Sequence, residues 1–309
     1  MTKVFIDGSA GTTGLRIHER LSARKDLEII TLADDIRKDV EARRTALNSA
    51  DVAFLCLPDD AAREAVSLIE SDVAVIDTST AHRTDPRFVY GFPELFDLRE
   101  SVKASKRIAN PGCHASGFVS LVAPLVAAGI LPADASLSCT SLTGYSGGGK
   151  KMIAQYEADD RDPLLAAPRL YGLTQQHKHL KEMKAVCGLE KEPLFQPIVA
   201  PFYSGMEVMI GLSADKIKGS VSDICDVYRK TYEKGLVHFV DKADEAGFLS
   251  AAAYSGRDDM EISVVGNEDR ILLVSRFDNL GKGASGAAIQ NMNILLGLDE
   301  EEGLDVYGG

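Results

Sequence analysis

The sequence predicts an α/β protein in which a doubly wound parallel-sheet domain, begun and completed by the two ends of the chain, carries an inserted α+β domain on a mixed or antiparallel sheet. Three observations predict it. The length, 309 residues, suits two domains at roughly 100 to 200 residues each. Short apolar runs alternate with helical patterns over the first third of the chain, as a βαβ series does. Beyond Ala135 the runs become rich in Ser, Thr, Val and Ile, which marks a second kind of sheet.

The elements follow in order. Lys3–Asp7 reads as a strand, Thr13–Ala23 as a helix, Leu27–Leu32 as a strand and Arg37–Leu47 as a helix. Asp51–Leu57 is a continuous apolar run, as a strand buried on both faces requires, and Asp59–Glu70 is a helix that Asp59 or Asp60 would cap. Val73–Asp77 makes a fourth parallel strand with right-handed crossovers. After Gly91-Phe92-Pro93 the regularity breaks, and a short strand, Arg107–Ala109, leads into an apolar helix ending at Ala128. Ser136–Thr143, Glu207–Leu212, Glu261–Val265 and Ile271–Phe277 predict an antiparallel sheet in a domain that begins near residue 114. In Gly283–Leu296 small residues precede apolar Ile289, Met292, Leu295 and Leu296, a closely packing helix that returns to the first domain. The acidic run Asp299–Glu302 reads as a solvated tail.

Composition removes several function classes. The formal net charge of −12 repels a phosphate backbone and argues against nucleic acid or anionic membrane as partner. The longest apolar stretch, 117–131, is shorter than the roughly 18 to 20 residues a membrane span needs. Met1-Thr2-Lys3 runs straight into an apolar strand, so no secretory signal is predicted and the cytoplasm is the expected location. The five cysteines form an odd set without a C-x-x-C pair, which disfavours disulfides and a zinc site, and no metal is predicted.

Four segments could carry chemistry. Gly8-Ser9-Ala10-Gly11-Thr12-Thr13-Gly14 lies between a strand and a helix, where glycines permit a tight turn and the helix N-terminus offers N–H groups to a pyrophosphate. This is a Rossmann-type dinucleotide signature. After the second strand, Asp34 and Asp35 would suit the ribose of NAD, whereas Arg37, Lys38 and Ser9 favour the extra phosphate of NADP(H). Cys113 stands at the start of an apolar helix, where the dipole biases a thiol toward thiolate and the same N–H groups can hold an oxyanion. The other four cysteines sit in apolar or helical runs and read as small buried hydrophobes. A thiolate needs a base, and His177-Lys178-His179 is the densest histidine cluster; spacing leaves open which of His177 and His179 acts, with His114 a weaker candidate because adjacent helical residues diverge. Finally, Lys150 and Lys151 follow a glycine-rich turn, 144–149, that could receive a phosphate or carboxylate.

The Gly8–Gly14 loop, Asp77–Arg83, Tyr90–Leu95, Asn110–Cys113, His177–His179 and Asn279–Gly286, in that order, together resemble the N-acetyl-γ-glutamyl-phosphate reductase family in its shorter form, over essentially the whole chain. The resemblance implies an NADP-binding Rossmann domain of residues 1–113 and 279–309 and an inserted catalytic and dimerisation domain of residues 114–278. It implies NADPH at Gly8, Ser9, Gly11, Thr12, Thr13 and Gly14, and Asn279 near the nicotinamide. It also implies Cys113 as nucleophile, His177 or His179 as acid/base, and a homo-oligomer, dimer or tetramer, acting on a small acyl phosphate in arginine biosynthesis. Substrate contacts are expected at Arg83, Asn110, Lys150 and Lys151. The longer form of the family places an aromatic residue and then Thr after its cysteine, where this chain has His114 and later Ser116. Two alternatives compete. Aspartate-semialdehyde dehydrogenase shares the thioester chemistry but tends to have Asn where this chain has Gly112, and a non-catalytic NADP-responsive sensor would leave Cys113 inert.

Overall fold

A computed structural model describes residues 1–306. They form two compact units, one of Met1–Pro93, Asp97–Pro111 and Ala284–Leu304, the other of Glu94–Phe96, Gly112–Gly283 and Asp305. The division places Gly112, Cys113 and residues 279–283 with the inserted part, a few residues from the boundaries expected at 113/114 and 278/279; residues 307–309 lie outside the described residues.

In the first unit β1 (Thr2–Asp7), α1 (Thr12–Ser22), β2 (Leu27–Ile30), α2 (Val40–Ser49), β3 (Val52–Leu55), α3 (Asp59–Ser67), β4 (Ala74–Asp77), β5 (Val89–Tyr90), α4 (Leu98–Ala104) and β6 (Arg107–Ala109) alternate along the chain. The strands form one six-stranded parallel sheet in the order β2-β1-β3-β4-β6-β5. Alternate residues of one strand enter opposite cores: Val4, Ile6, Val52 and Phe54 on one face, Phe5, Ala53 and Leu55 on the other. That two-sided burial is why β3 reads as an unbroken apolar run. The short strand expected at Arg107–Ala109 is β6, and the one strand that was not expected is β5, whose two residues are too few for a periodic signal. Helix α2 starts three residues later than predicted, because Asp39 caps it by accepting the Ala42 N–H at 2.8 Å. Asp59 does not cap α3 as expected; its carboxylate accepts the N–H of Thr80 at 3.0 Å and Pro58 takes the cap position.

The second unit opens with α5 (Cys113–Ala127), followed by β7 (Ser138–Gly144), α6 (Gly149–Glu157), β8 (Arg169–Leu170), α7 (His179–Cys187), β9 (Leu194–Ala200), β10 (Met206–Ser213), α8 (Val221–Thr231), β11 (Val237–Phe239), β12 (Met260–Gly266) and β13 (Arg270–Phe277). Its seven strands run in the order β11-β12-β13-β10-β7-β9-β8. The sheet is mixed rather than purely antiparallel: β7 pairs parallel with β9, and β11 with β12. The long connections between these partners, through α6, β8 and α7 in the first case, make the crossovers possible. Helix α5 lies on one sheet face, touching it at Gly117, where a Cβ would stand 2.4 Å from Val208 Cγ2.

A π-turn, Gly281–Ser285, precedes α9 (Gly286–Leu296), whose Ala288, Ile289 and Met292 complete the core of the first unit. The acidic run beyond it is not simply a solvated tail. Glu300 accepts from Arg99 at 2.8 Å and Gln290 at 3.0 Å, a tie within the first unit that linear sequence could not announce.

Candidate active site

The glycines of the Gly8–Gly14 loop have different reasons to be glycine. Gly8 has φ +91° and a Cβ there would lie 2.3 Å from Cys56 O, while a Cβ on Gly14 would lie 2.5 Å from Gly8 O. Both are dictated by packing of the loop itself. A Cβ on Gly11, by contrast, would meet nothing closer than Gly8 O at 3.5 Å. The fold therefore tolerates a side chain at Gly11. Its bare backbone caps α1 without any side-chain cap, beside N–H groups that have no intrahelical acceptor, which fits the close approach of a pyrophosphate. Thr12 and Thr13 form the half-buried first turn of α1.

A cavity of 480 Å³ adjoins this loop in the first unit and is lined by Gly8, Ser9, Thr31, Arg37, Lys38 and Arg43 among others. Arg43 is committed, at 2.9 Å from Asp7 and 2.8 Å from Glu64. Burial holds the Asp7 carboxyl above its usual range against the pull of Arg43. Of the charged residues 34–38, the cations Arg37 and Lys38 line the cavity and the acids Asp34 and Asp35 do not; Asp34 reaches back to Arg37 at 3.6 Å.

Cys113 occupies the first position of α5, after Gly112 at the N-cap, and the first intrahelical bond runs from Ser116 N–H to Gly112 O at 2.7 Å. No side chain caps this end, so its N–H groups remain for a ligand oxyanion. The Gly112 N–H itself donates to Glu182 Oε1 at 2.8 Å, a carboxylate 2% exposed on α7. Gly283 closes against Cys113, since a Cβ there would lie 3.0 Å from Cys113 Cβ.

The histidines gather around the start of α5. His177 and His179 stack edge to face with centroids 4.7 Å apart, and the His114 ring lies 5.6 Å from the first and 5.7 Å from the second. His179 N–H donates to His177 Nδ1 at 3.2 Å. Burial, with the neighbouring His177, pushes the His114 imidazole down to about 3, so it stays neutral. Its Nδ1 meets Ser141 Oγ at 2.7 Å and its Nε2 meets the Tyr171 hydroxyl at 2.6 Å. Sequence reasoning set His114 aside and missed Ser141, Tyr171 and Glu182. Only the pairing of β7 and the path of the chain after β8 bring them together.

Other predicted positions have structural duties. The Asn279 amide accepts Gly205 N–H at 2.9 Å and donates to Ser146 Oγ at 3.0 Å, tying the turn at Tyr145–Gly148 to the segment after β13 within the second unit. In the first unit, Arg83 donates to the carbonyls of Asn110 and Thr78, both at 3.0 Å, and the Asn110 amide donates to Ala284 O at 3.0 Å and accepts from Asn291 at 3.3 Å. Lys150 and Lys151 are exposed in the first turn of α6. Of the remaining cysteines, Cys139 and Cys187 are buried as expected, but Cys56 and Cys225 are half-buried; burial pushes the Cys56 thiol up to about 12. Glu94 and Lys282, from two of the resembling segments, form a buried ion pair at 2.7 Å in the second unit. Among the described residues no group of three or more metal-ligating side chains converges, and no helix is long and apolar enough to cross a membrane.

Comparison with known proteins agrees with these two halves. Residues 35–105 match the semialdehyde dehydrogenase NAD binding domain, and residues 113–279 match the semialdehyde dehydrogenase dimerisation domain. Among solved structures, aspartate semialdehyde dehydrogenase from Francisella tularensis superposes with a TM-score of 0.71 at 15% identity, covering 96% of this chain and 100% of that one. Aspartate semialdehyde dehydrogenase II from Vibrio cholerae gives 0.70 at 15% identity over 96% and 98%. Those identities speak to the fold alone. N-acetyl-gamma-glutamyl-phosphate reductase 2 of Nostoc sp. is 45% identical, covering 98% of this chain and 99% of its own, and the reductase of Brucella ovis is 44% identical over 96% and 99%. At that identity over nearly the full length of both partners, the chain belongs to the N-acetyl-γ-glutamyl-phosphate reductase family.

Proposed function

We propose that the protein reduces N-acetyl-γ-glutamyl phosphate to N-acetyl-glutamate semialdehyde and phosphate, a step of arginine biosynthesis, through a thioester on Cys113. One observation carries the reading: in a chain whose full-length relatives bear that name, the thiol stands at the uncapped N-terminus of α5 amid three histidines. The Cys113 thiolate attacks the acyl carbonyl, the N–H groups of the helix end hold the oxyanion, and collapse expels phosphate. NADPH, which residues 8–14 would hold, would supply the hydride that reduces the thioester, and collapse of the resulting alkoxide would release the thiolate. The bond accepted by His177 Nδ1 places that neutral ring's proton on Nε2, which makes His177 a donor. Taking up the thiol proton then falls to His179, which returns it as the semialdehyde leaves. Arg83 bonds to the main chain ahead of Cys113 and Asn110 to that of Ala284, and Lys150 and Lys151, exposed on α6, are the cations for the leaving phosphate.

Preference for NADP over NAD rests on Ser9, Arg37 and Lys38 lining the cavity while Asp34 and Asp35 turn away. A homo-oligomer, dimer or tetramer, is supported by the match to a dimerisation domain and by Leu170 and Leu194, 53% and 54% exposed on neighbouring strands β8 and β9. A nucleophilic free thiol works where thiols are kept reduced, which favours the cytoplasm. The test is a reverse-direction assay with N-acetyl-glutamate semialdehyde, phosphate and NADP, run beside aspartate semialdehyde. Phosphate-dependent NADPH formation with the first substrate alone supports the proposal. Activity with the second alone would transfer the protein to aspartate-semialdehyde chemistry, and silence with both would favour a sensor.

A further inference from the structure

The backbone N–H of a helix N-cap needs an acceptor, and the third residue of the helix supplies one when it carries a suitable side-chain oxygen. Helix α8 shows this local solution: Ser220 N–H donates to Asp223 at 2.7 Å, and Asp223 N–H donates to Ser220 Oγ at 3.3 Å. At α5 the local solution is missing. The N-cap is Gly112 and the third helical residue is Ala115, neither of which has a polar side chain. The acceptor comes from another helix, since Gly112 N–H donates to Glu182 Oε1 at 2.8 Å. The carboxylate that a capping box would draw from α5 itself is drawn from α7.

What else α7 carries gives that bond its consequence. His179 precedes Glu182 by three residues on α7, so the two side chains are neighbours on one helix face, and both are buried. Gly112 is joined to Cys113 by one peptide bond, and the ring of His114, on the other side of the cysteine, lies 5.7 Å from the His179 ring. A single buried hydrogen bond thus ties the main chain just ahead of the thiol to the helix that presents the histidine.

We infer that Glu182 is a strut that sets the placement of His179 relative to Cys113 by holding the start of α5 against α7. It is a positioning residue, acting through the Gly112 N–H. Its acceptor oxygen does this work rather than its charge, because a carboxylate near a thiol opposes thiolate formation. The inference rests on the reading of Cys113 as the nucleophile and His179 as its base.

The experiment compares Glu182→Gln with Glu182→Met in the full-length protein. Both substitutions remove the charge and keep the length of the side chain, but only glutamine retains an oxygen that can accept the Gly112 N–H. Two quantities are measured: steady-state rates in the reverse-direction assay, and the rate of Cys113 alkylation by iodoacetamide at pH 7, with Cys113→Ser as the blank for the other thiols. The strut predicts that Glu182→Met lowers kcat about 30-fold at unchanged KM and slows alkylation roughly tenfold, whereas Glu182→Gln stays within about threefold of the unsubstituted protein in both. In a His179→Ala background the Gln and Met variants should alkylate at the same rate, because the group they position is gone. Equal losses in the two variants would overturn the strut in favour of charge, and equal retention would overturn it outright. A difference that survives without His179 would also reject it, marking a helix cap with no bearing on the histidine. Should Glu182→Met fail to fold, Glu182→Asp replaces it: the charge stays and the oxygen is withdrawn by one methylene, so the strut again predicts loss where a role for charge predicts retention. Alkylation reads the thiol without turnover. An inactive Cys113→Ser with no difference between Gln and Met therefore rejects only the strut, whereas an active Cys113→Ser rejects the thioester mechanism itself.

Discussion

The Gly8–Gly14 loop and the Cys113 site both sit at the N-terminus of a helix that no side chain caps, yet they are built in opposite ways. The loop is made of backbone, and its requirements are met by the absence of side chains at Gly8, Gly11 and Gly14. The cysteine site is made of side chains drawn from α5, β7, α7 and the segment between β8 and α7, held by Ser141, Tyr171 and Glu182. A site of omitted atoms is compact in sequence and legible there; a site of converging atoms is dispersed and is not.

The comparison breaks first at its most consequential atom. Cys113→Ser is expected to lower turnover by about 10³-fold or more while leaving NADPH affinity unchanged, measured by steady-state rate and fluorescence titration. Substantial retained activity would mean that the two sites do not divide binding and chemistry as described. Next, His179→Ala is expected to cost on the order of 10²-fold in turnover and His177→Ala about tenfold. The reverse order would exchange their roles.

Acid should separate the two regions by sign. The His114 imidazole is held far below its usual value of 6.5, at about 3, so the neutral ring favours folding above pH 6.5 and that stability is lost as pH falls from 6.5 toward 3. The loss amounts to about 2 kcal/mol at pH 5. Asp7 in the first unit has the opposite sign: its carboxyl is raised from 3.8, so acidification through that range relieves it. Denaturant titrations at pH 7 and pH 5 should therefore show a smaller pH slope in His114→Gln than in the unsubstituted protein. The smallest effect expected is at Gly11, where Ala should leave the melting temperature within a few degrees and weaken NADPH binding about tenfold. Gly8→Ala should instead destabilise the fold by about 2 kcal/mol or more, through its positive φ and the clash with Cys56 O. Equal melting losses in both variants would erase the distinction between ligand-facing and fold-facing glycines.

Much of the first unit was legible because its signals are local. A βαβ strand of four apolar residues, such as Val52–Leu55, declares itself by being apolar throughout. The misplaced start of α2 and the diverted Asp59 show where local reading stops: several acids compete for a cap, and the winner depends on what else each can reach. In the second unit β8 and β11 have two and three residues and went unseen, and two parallel pairings turned an expected antiparallel sheet into a mixed one.

By itself the sequence determined the two-part architecture and singled out the glycine loop, Cys113 and the histidine pair as candidates, because each depends on residue types close together in the chain. Tertiary structure alone decided that Arg37 and Lys38, not Asp34 and Asp35, line the cavity, that Arg83, Asn110 and Asn279 bond to the main chain or to neighbouring side chains, and that His114 lies against His177 and His179. The physical reason is the reach of the interactions. Backbone conformation and helix-end fields act within a few residues, whereas the partner of a buried polar side chain is whichever group the packing of distant segments brings within 3 Å, and every such group must find one.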